Sequence, residues 1–349
     1  MLNSTPHFLP IRQNGKWGYI DQRGQVILPC DYDVTSRFSE GYAVIRRSFP
    51  GELTIIDASL RTVGTFKETD YFGDVHDGLF FFQSKQHAQQ RFGYATPLGE
   101  ITIDPEFESA RDFCDGLSIV ELNGAFGAIN RLGEFVIPPR YRTLWSFGDG
   151  EPLTVFQRGE VGADQSSEQA NKSRWLFGLL DRRGNVVVEA KYTALGIPSR
   201  GIIPAAIGDR SSIKFGLANA QGEWVVEPRY DDCGSFSGDL CPAAIDSRWG
   251  MIDRSGRWVI KPLYTNVHEG VENDLVGVYV GGGRDDGGYL TGGKYGFINL
   301  EGHIVIEPQF DDISPFHEGV AEVRMHANDD DYAIGYIDTA GNYIWRPTI

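Results

Sequence analysis

"KWGYIDQRGQVILPCDYD", residues 16–33, decides the fold, because the chain repeats it as "KFGLANAQGEWVVEPRYDD" (214–232), "RWGMIDRSGRWVIKPLYT" (248–265) and "KYGFINLEGHIVIEPQFDD" (294–312). Nine copies align on an aromatic-glycine pair: Trp17-Gly18, Phe92-Gly93, Phe126-Gly127, Phe177-Gly178, Phe215-Gly216, Trp249-Gly250, Tyr295-Gly296 and Ile334-Gly335, with a worn second copy at Leu53-Thr54. Each pair opens a short strand that runs into a D/N-x-x-G turn, from Asp21-Gly24 in the first copy to Asp338-Gly341 in the last. An acid or amide first and a glycine fourth predict a type I turn whose glycine takes the left-handed conformation. Leu60 replaces that glycine in one copy and Thr96 replaces the acid in another.

A β-branched and aromatic stretch follows the turn and ends on proline, as in "ITIDP", "FVIPP" and "WVVEP". Proline cannot donate to a ladder, so Pro105, Pro139, Pro228, Pro262, Pro308 and Pro347 are expected at strand ends or on an unpaired side. A loop then leads to an aromatic-acid-glycine cluster ("FSEG", "FCDG", "FGDG", "FHEG") and a third strand such as "YAVI" or "LSIV". The unit is a three-stranded antiparallel meander. One such sheet is marginal alone, and stacking copies buries its second side.

"FLPIRQNGKW" supplies a third-type strand ahead of the first hairpin, so each sheet is expected to run third, first, second. The fold class read from this is all-β, a tandem array of about nine meanders, and either an open curved array or a closed propeller-like ring satisfies the pattern. Residues 1–349 form one array, with units near 7–45, 46–78, 79–116, 117–150, 151–200, 201–238, 239–270, 271–319 and 320–349.

The motif resembles the WG-repeat family of bacterial proteins, whose unit reads G-K-W-G-[YF]-I-D-x-x-G-x-x-V-I-x-P-x-Y-D followed by F-x-E-G-x-A-x-V. Residues 15–44 follow it closely, and the resemblance extends over nearly the whole chain. It implies binding or interaction roles, some members resembling immunity proteins that neutralise bacterial toxins.

At 349 residues the chain exceeds the roughly 250–300 residues at which a single core stops growing, which agrees with an array. Its net charge of −16 repels phosphate backbones and anionic lipid, excluding nucleic acid and membrane surfaces as expected partners. The same field speeds encounter with a basic protein. Cys30, Cys114, Cys233 and Cys241 show no CxxC spacing, and the chain lacks both an apolar leader pattern and a run of about 18 apolar residues. The expectation is a cytoplasmic protein without cofactor or metal.

Catalytic constellations are absent from the pattern. His76, His268 and His317 align just before an acid-glycine pair, where other copies carry Ser39, Cys114 or Gly148, so the position reads as a tolerant turn site. The acids of Glu40-Gly41, Asp115-Gly116, Glu269-Gly270 and Glu318-Gly319 recur once per unit, as a turn requirement produces, whereas hydrolysis needs two convergent carboxylates. "GGGRDDGGYLTGG" lacks the G-K-[ST] ending of a phosphate loop, and the Asp329–Asp331 run lacks EF-hand spacing.

The copies differ most where "QSKQHAQQ", "QRGEVGADQSSEQANKSR", "GDRSS", "GGGRDDGGYLTGG" and "RMHANDDD" enlarge one connection, between the third-type strand and the first strand. Equivalent loops of a stacked array share a face, which is often the binding face. Asp285, Asp286, Tyr289, Asp329, Asp330 and Asp331 are therefore the candidate partner-binding residues. The reading is a non-enzymatic protein-binding repeat, of the kind that covers a basic toxin domain. A carbohydrate or cell-envelope binder using Trp145, Trp175 and Tyr289 is the alternative, and a hydrolase with a loop-borne site the second alternative.

Overall fold

The computed structural model describes residues 8–49, 51–67, 71–84, 90–157, 176–208, 212–328 and 331–347. Among them the chain is all-β, without a helix, and nine small antiparallel sheets of the β-propeller-blade type follow one another. Contacts divide it into residues 1–191 and 192–349. The first unit holds sheets at 9–32, 34–66, 80–107 and 109–141 and most of a fifth at 143–192; the second holds sheets at 194–230, 232–264, 266–310 and 312–345. Strand Tyr42–Arg46 pairs forward with Leu53–Asp57, so sheet boundaries fall just after the aromatic that follows the proline.

The meanders are extended in one respect. Seven of the nine sheets carry a fourth strand before the other three, six of these only two residues long, such as Val34–Thr35, Ser109–Ala110 and Asp312–Ile313. These were expected to be loop. A two-residue strand has no alternation to read, and it forms because the chain leaving one sheet meets the third-type strand of the next, as when Ala110 pairs with Val120.

Acidic turn residues work as the spacing predicts. The Asp21 carboxylate accepts from Arg23 N at 2.9 Å and Gln25 N at 2.8 Å, while Gly24 N donates to Asp21 O at 3.0 Å with Gly24 at φ 80°. Leu60 keeps the same geometry at φ 60°, donating to Asp57 O at 2.8 Å.

The prolines take the unpaired placement, one of the two expected for them. Pro105, Pro139, Pro228, Pro262 and Pro308 lie inside seven-residue strands rather than at their ends. Phe126 pairs with Tyr141 but Ala128 with Ile137, so two residues on one strand face four on the other, and the proline sits unpaired in that bulge. The bulge folds over the glycine of the aromatic-glycine pair: a Cβ on Gly127 would lie 2.5 Å from Ile137 O and 2.8 Å from Pro139 N. That close approach is why glycine recurs there.

Apolar side chains from consecutive sheets form the cores. Phe81, Tyr94, Ile103 and Phe107 of the third sheet pack on Val120 and Ile129 of the fourth, all buried. The aromatic after the proline also reaches across: Tyr230 Oη donates to Gly256 O at 2.7 Å and Tyr192 Oη to Gly222 O at 2.8 Å, each joining one sheet to the hairpin turn of the next.

Candidate functional site: an acid-lined cavity in the first unit

The acid-glycine clusters do more than make turns. Glu40, Asp77, Asp115 and Glu318 all adopt left-handed φ between 49° and 52°. The Glu40 carboxylate accepts from Asp77 N and Gly78 N, both at 2.8 Å; Asp77 Oδ2 accepts from Gly116 N at 2.7 Å; Asp115 Oδ2 accepts from Gly150 N at 2.7 Å. Glu40, Asp77 and Asp115 thus each cap amides of the next sheet's turn, so an acid at this position is favoured by sheet-to-sheet stapling as well as by the turn itself. Arg182, from a D-x-x-G turn, reinforces this row with a 3.0 Å bond to Asp115 Oδ2.

His268-Glu269-Gly270 is a false match to the cluster. These residues lie within strand Asn266–Glu272, and the turn is made by Asn273 and Asp274, at φ 54° and 59°. Glu272 holds the stapling position, accepting from Glu318 N at 2.5 Å.

Beside the stapled turns of the first unit lies a cavity of about 710 Å³. Glu40, Asp77, Asp112, Asp115 and Asp149 supply carboxylates to its lining, while Tyr71, Phe81 and Phe113 supply aromatic surface. Asp112 is its most unusual member. Its Oδ1 is buried without a hydrogen-bond partner, and a Cβ on Gly73 would collide with that oxygen and with the Phe81 ring, so only glycine lets the carboxylate and the ring sit as they do. Burial pushes the Asp112 carboxyl up to about 6, with His76 pulling it down and Asp74 pushing it further up. Asp74 is likewise raised by burial.

The cavity's one guanidinium, on Arg111, sits 6.0 Å from the Phe126 ring centre, and burial lowers its affinity for its proton. Cys114, Asp115 and Asp149 bring potential ligand atoms within 4.8 Å of one another. Two of these are committed elsewhere: Asp115 Oδ2 serves Gly150 N and Arg182, and burial with the neighbouring Asp115 and Asp149 charges raises the Cys114 thiol and keeps it protonated. What the cavity offers chemically is a cation-binding recess with aromatic walls.

The residues singled out from the sequence lie elsewhere. Asp285, Asp286 and Tyr289 share the tip of a hairpin made by strands Leu275–Arg284 and Leu290–Asn299. Asp285 forms the turn, its Oδ1 accepting from Gly287 N and Tyr289 N at 2.9 Å each, and Tyr289 is 75% exposed. Asp329 and Asp330 lie outside the described residues, as does the side chain of Asp331, which opens strand Asp331–Asp338. Trp145 packs beside Phe177 at 6.5 Å between ring centres, and Trp175 lies outside the described residues.

Asp74 and Asp112 are not among the candidates that the sequence suggests. A signal was present: D-x-x-D-G occurs in the adjacent copies "DVHDG" and "DFCDG", where the corresponding first position is Arg37, Ser146 or Pro315 in others.

The profile described as WG containing repeat matches residues 17–47, 92–124, 126–159, 177–210, 215–248, 249–283 and 295–327. No curated protein matches the chain. Among solved structures, the Porphyromonas gingivalis dipeptidyl peptidase 4 superposes with a TM-score of 0.56 at 8% identity over 89% of this chain and 58% of that one. A prolyl endopeptidase gives a TM-score of 0.49 at 12% identity over 79% of this chain and 49% of its own length. AztD from Citrobacter koseri gives 0.41 at 11% identity, over 97% and 93%. The chain therefore spans about half the length of the prolyl endopeptidase, and at such identities the likeness concerns fold alone.

Proposed function

We propose, for a chain that belongs to the family of WG containing repeats, that it is a non-catalytic scaffold which binds a basic protein and seats a lysine or arginine side chain of that partner in the cavity beside Asp112. The observation that carries this is the unpartnered, buried Asp112 Oδ1 in a recess with four other carboxylates and three aromatic rings. A carboxylate in that state costs stability, and an incoming cation offsets the cost by supplying its missing partner. The net charge of −16 steers such a partner in. Aromatic walls favour a guanidinium or ammonium over a metal ion.

In its finer form the partner is a basic toxin domain and the chain its immunity protein. Two measurements test the reading. Binding of the full chain to an arginine-rich peptide, against a glutamine-rich peptide of equal length, is expected to be selective, to weaken with salt, and to fall about tenfold in Asp112→Asn, the equivalent of roughly 1.4 kcal/mol. Equal binding of both peptides contradicts the cationic partner. For the immunity form, a basic enzyme captured from the source cells is expected to lose activity when one equivalent of the chain is added; an acidic partner, or undiminished activity, contradicts it.

A further inference from the structure

We propose that Cys233 and Cys241, in the second unit, are a modification site that peroxide converts to a disulfide, fixing the turn between them. Cys233 ends the two-residue strand Asp232–Cys233 and pairs with Ala243; Cys241 stands two residues before Ala243 on strand Leu240–Ile245. The two side chains therefore project from one face of the sheet as diagonal neighbours across the ladder. Their sulfur atoms are 3.3 Å apart, and both are buried. The other two cysteines are only half-buried; Cys30 has its sulfur 3.9 Å from Ile11 O, and Cys114 lies at the acidic cavity of the first unit.

What the pair encloses gives the bond a consequence. The intervening segment supplies Gly238 O and Asp239 Oδ1 to Arg254, at 2.7 and 2.9 Å, and Arg254 also reaches Ser199 O of the preceding sheet at 2.8 Å. A bond across the base of this turn holds in place the groups that anchor Arg254, and through it the contact between the sixth and seventh sheets.

The chemistry balances with peroxide alone. Cys233, at 9% exposed the more accessible of the two, attacks one peroxide oxygen as thiolate; the S–O bond forms, the O–O bond breaks, and the departing hydroxide takes a proton to become water. The Cys241 sulfur then attacks the sulfenic sulfur, the S–S bond forms, the S–O bond breaks, and the second oxygen leaves as water with the Cys241 proton. Two thiols are oxidised and one peroxide is reduced to two waters. The adjacent Cys233 sulfur and burial hold the Cys241 thiol protonated, so the reaction is gated by local opening and is slow in the closed fold.

The test treats the full-length folded chain with hydrogen peroxide, denatures it, alkylates free thiols and maps peptides without reduction. The expected product is the 230–248 tryptic peptide carrying no alkyl group, its halves still joined after cleavage at Asp239, and a higher melting temperature than the reduced chain. Cys233→Ser abolishes the product, and in Cys241→Ser a sulfenic acid at Cys233 is trapped by dimedone. Complete alkylation of both residues in the treated wild type, or a cross-link to Cys30 or Cys114 instead, overturns the proposal.

Discussion

Acidic side chains do different work in the stapled turns of residues 40–150 and at the hairpin tip of residues 285–289. In the turns, Glu40, Asp77 and Asp115 each grip amides of the following sheet, and the recess beside them keeps one further carboxylate, Asp112, without a partner. At the tip, Asp285 folds only its own hairpin, and Asp286 and Tyr289 face solvent. A high density of acids is therefore a poor guide to a binding site unless one asks which carboxylates are already satisfied. Buried and unsatisfied is the informative state.

The comparison can be broken most severely through the bulge over Gly127, in the sheet that follows the Asp77 turn. Gly127→Val places side-chain atoms against the Ile137 carbonyl and the Pro139 nitrogen, both backbone, and is expected to cost about 3 kcal/mol by urea unfolding. A loss within error contradicts the packing reason given for that glycine. Glu40→Ala comes next: it strips the amides of Asp77 and Gly78 of their acceptor and is expected to cost about 1 kcal/mol, measured the same way. An unchanged midpoint makes the staple ornamental.

The smallest effect is expected at the hairpin tip. Replacing Asp285 and Asp286 together by Asn keeps an oxygen acceptor for the turn and is expected to change stability by less than about 0.5 kcal/mol. Binding of an arginine-rich peptide is expected to slow slightly at low salt and not at all at high salt. A loss of binding as large as that of Asp112→Asn shifts the recognition surface from the cavity to the tip.

Much of the fold was legible because its signals are local. The D/N-x-x-G turns, the strand alternation and the third-first-second phase each follow from residues a few positions apart, and the sheets formed accordingly. What could not be read depends on contacts between sheets. The two-residue strands form only against a neighbour, and the grip of Glu40 on Gly78 spans 38 positions. His268-Glu269-Gly270 misled because its composition imitates the turn cluster, whereas the bulged strand Asn266–Glu272 carries it past the point where other copies turn. For the cavity, the doubled acid of "DVHDG" and "DFCDG" was visible, but only the close contact with Gly73 shows that Asp112 is driven inward.

The central claim, that the buried Asp112 Oδ1 is left unpaired for a cation, is tested most directly by the stability of Asp112→Asn against pH, measured alongside peptide binding. Because burial raises the Asp112 carboxyl from 3.8 to about 6, the folded chain holds a proton that the unfolded chain has lost between those values. The favourable contribution of the protonated form is therefore complete below 3.8 and is lost as pH rises through about 6. The neutral amide escapes that loss. Asp112→Asn is expected to match wild type near pH 4 and to be more stable by about 1 kcal/mol at pH 8, a figure already reduced for partial solvent exposure. At pH 8 the same variant is expected to bind the arginine-rich peptide about tenfold more weakly. A variant that is less stable than wild type at pH 8, or that binds the peptide equally well, contradicts the account.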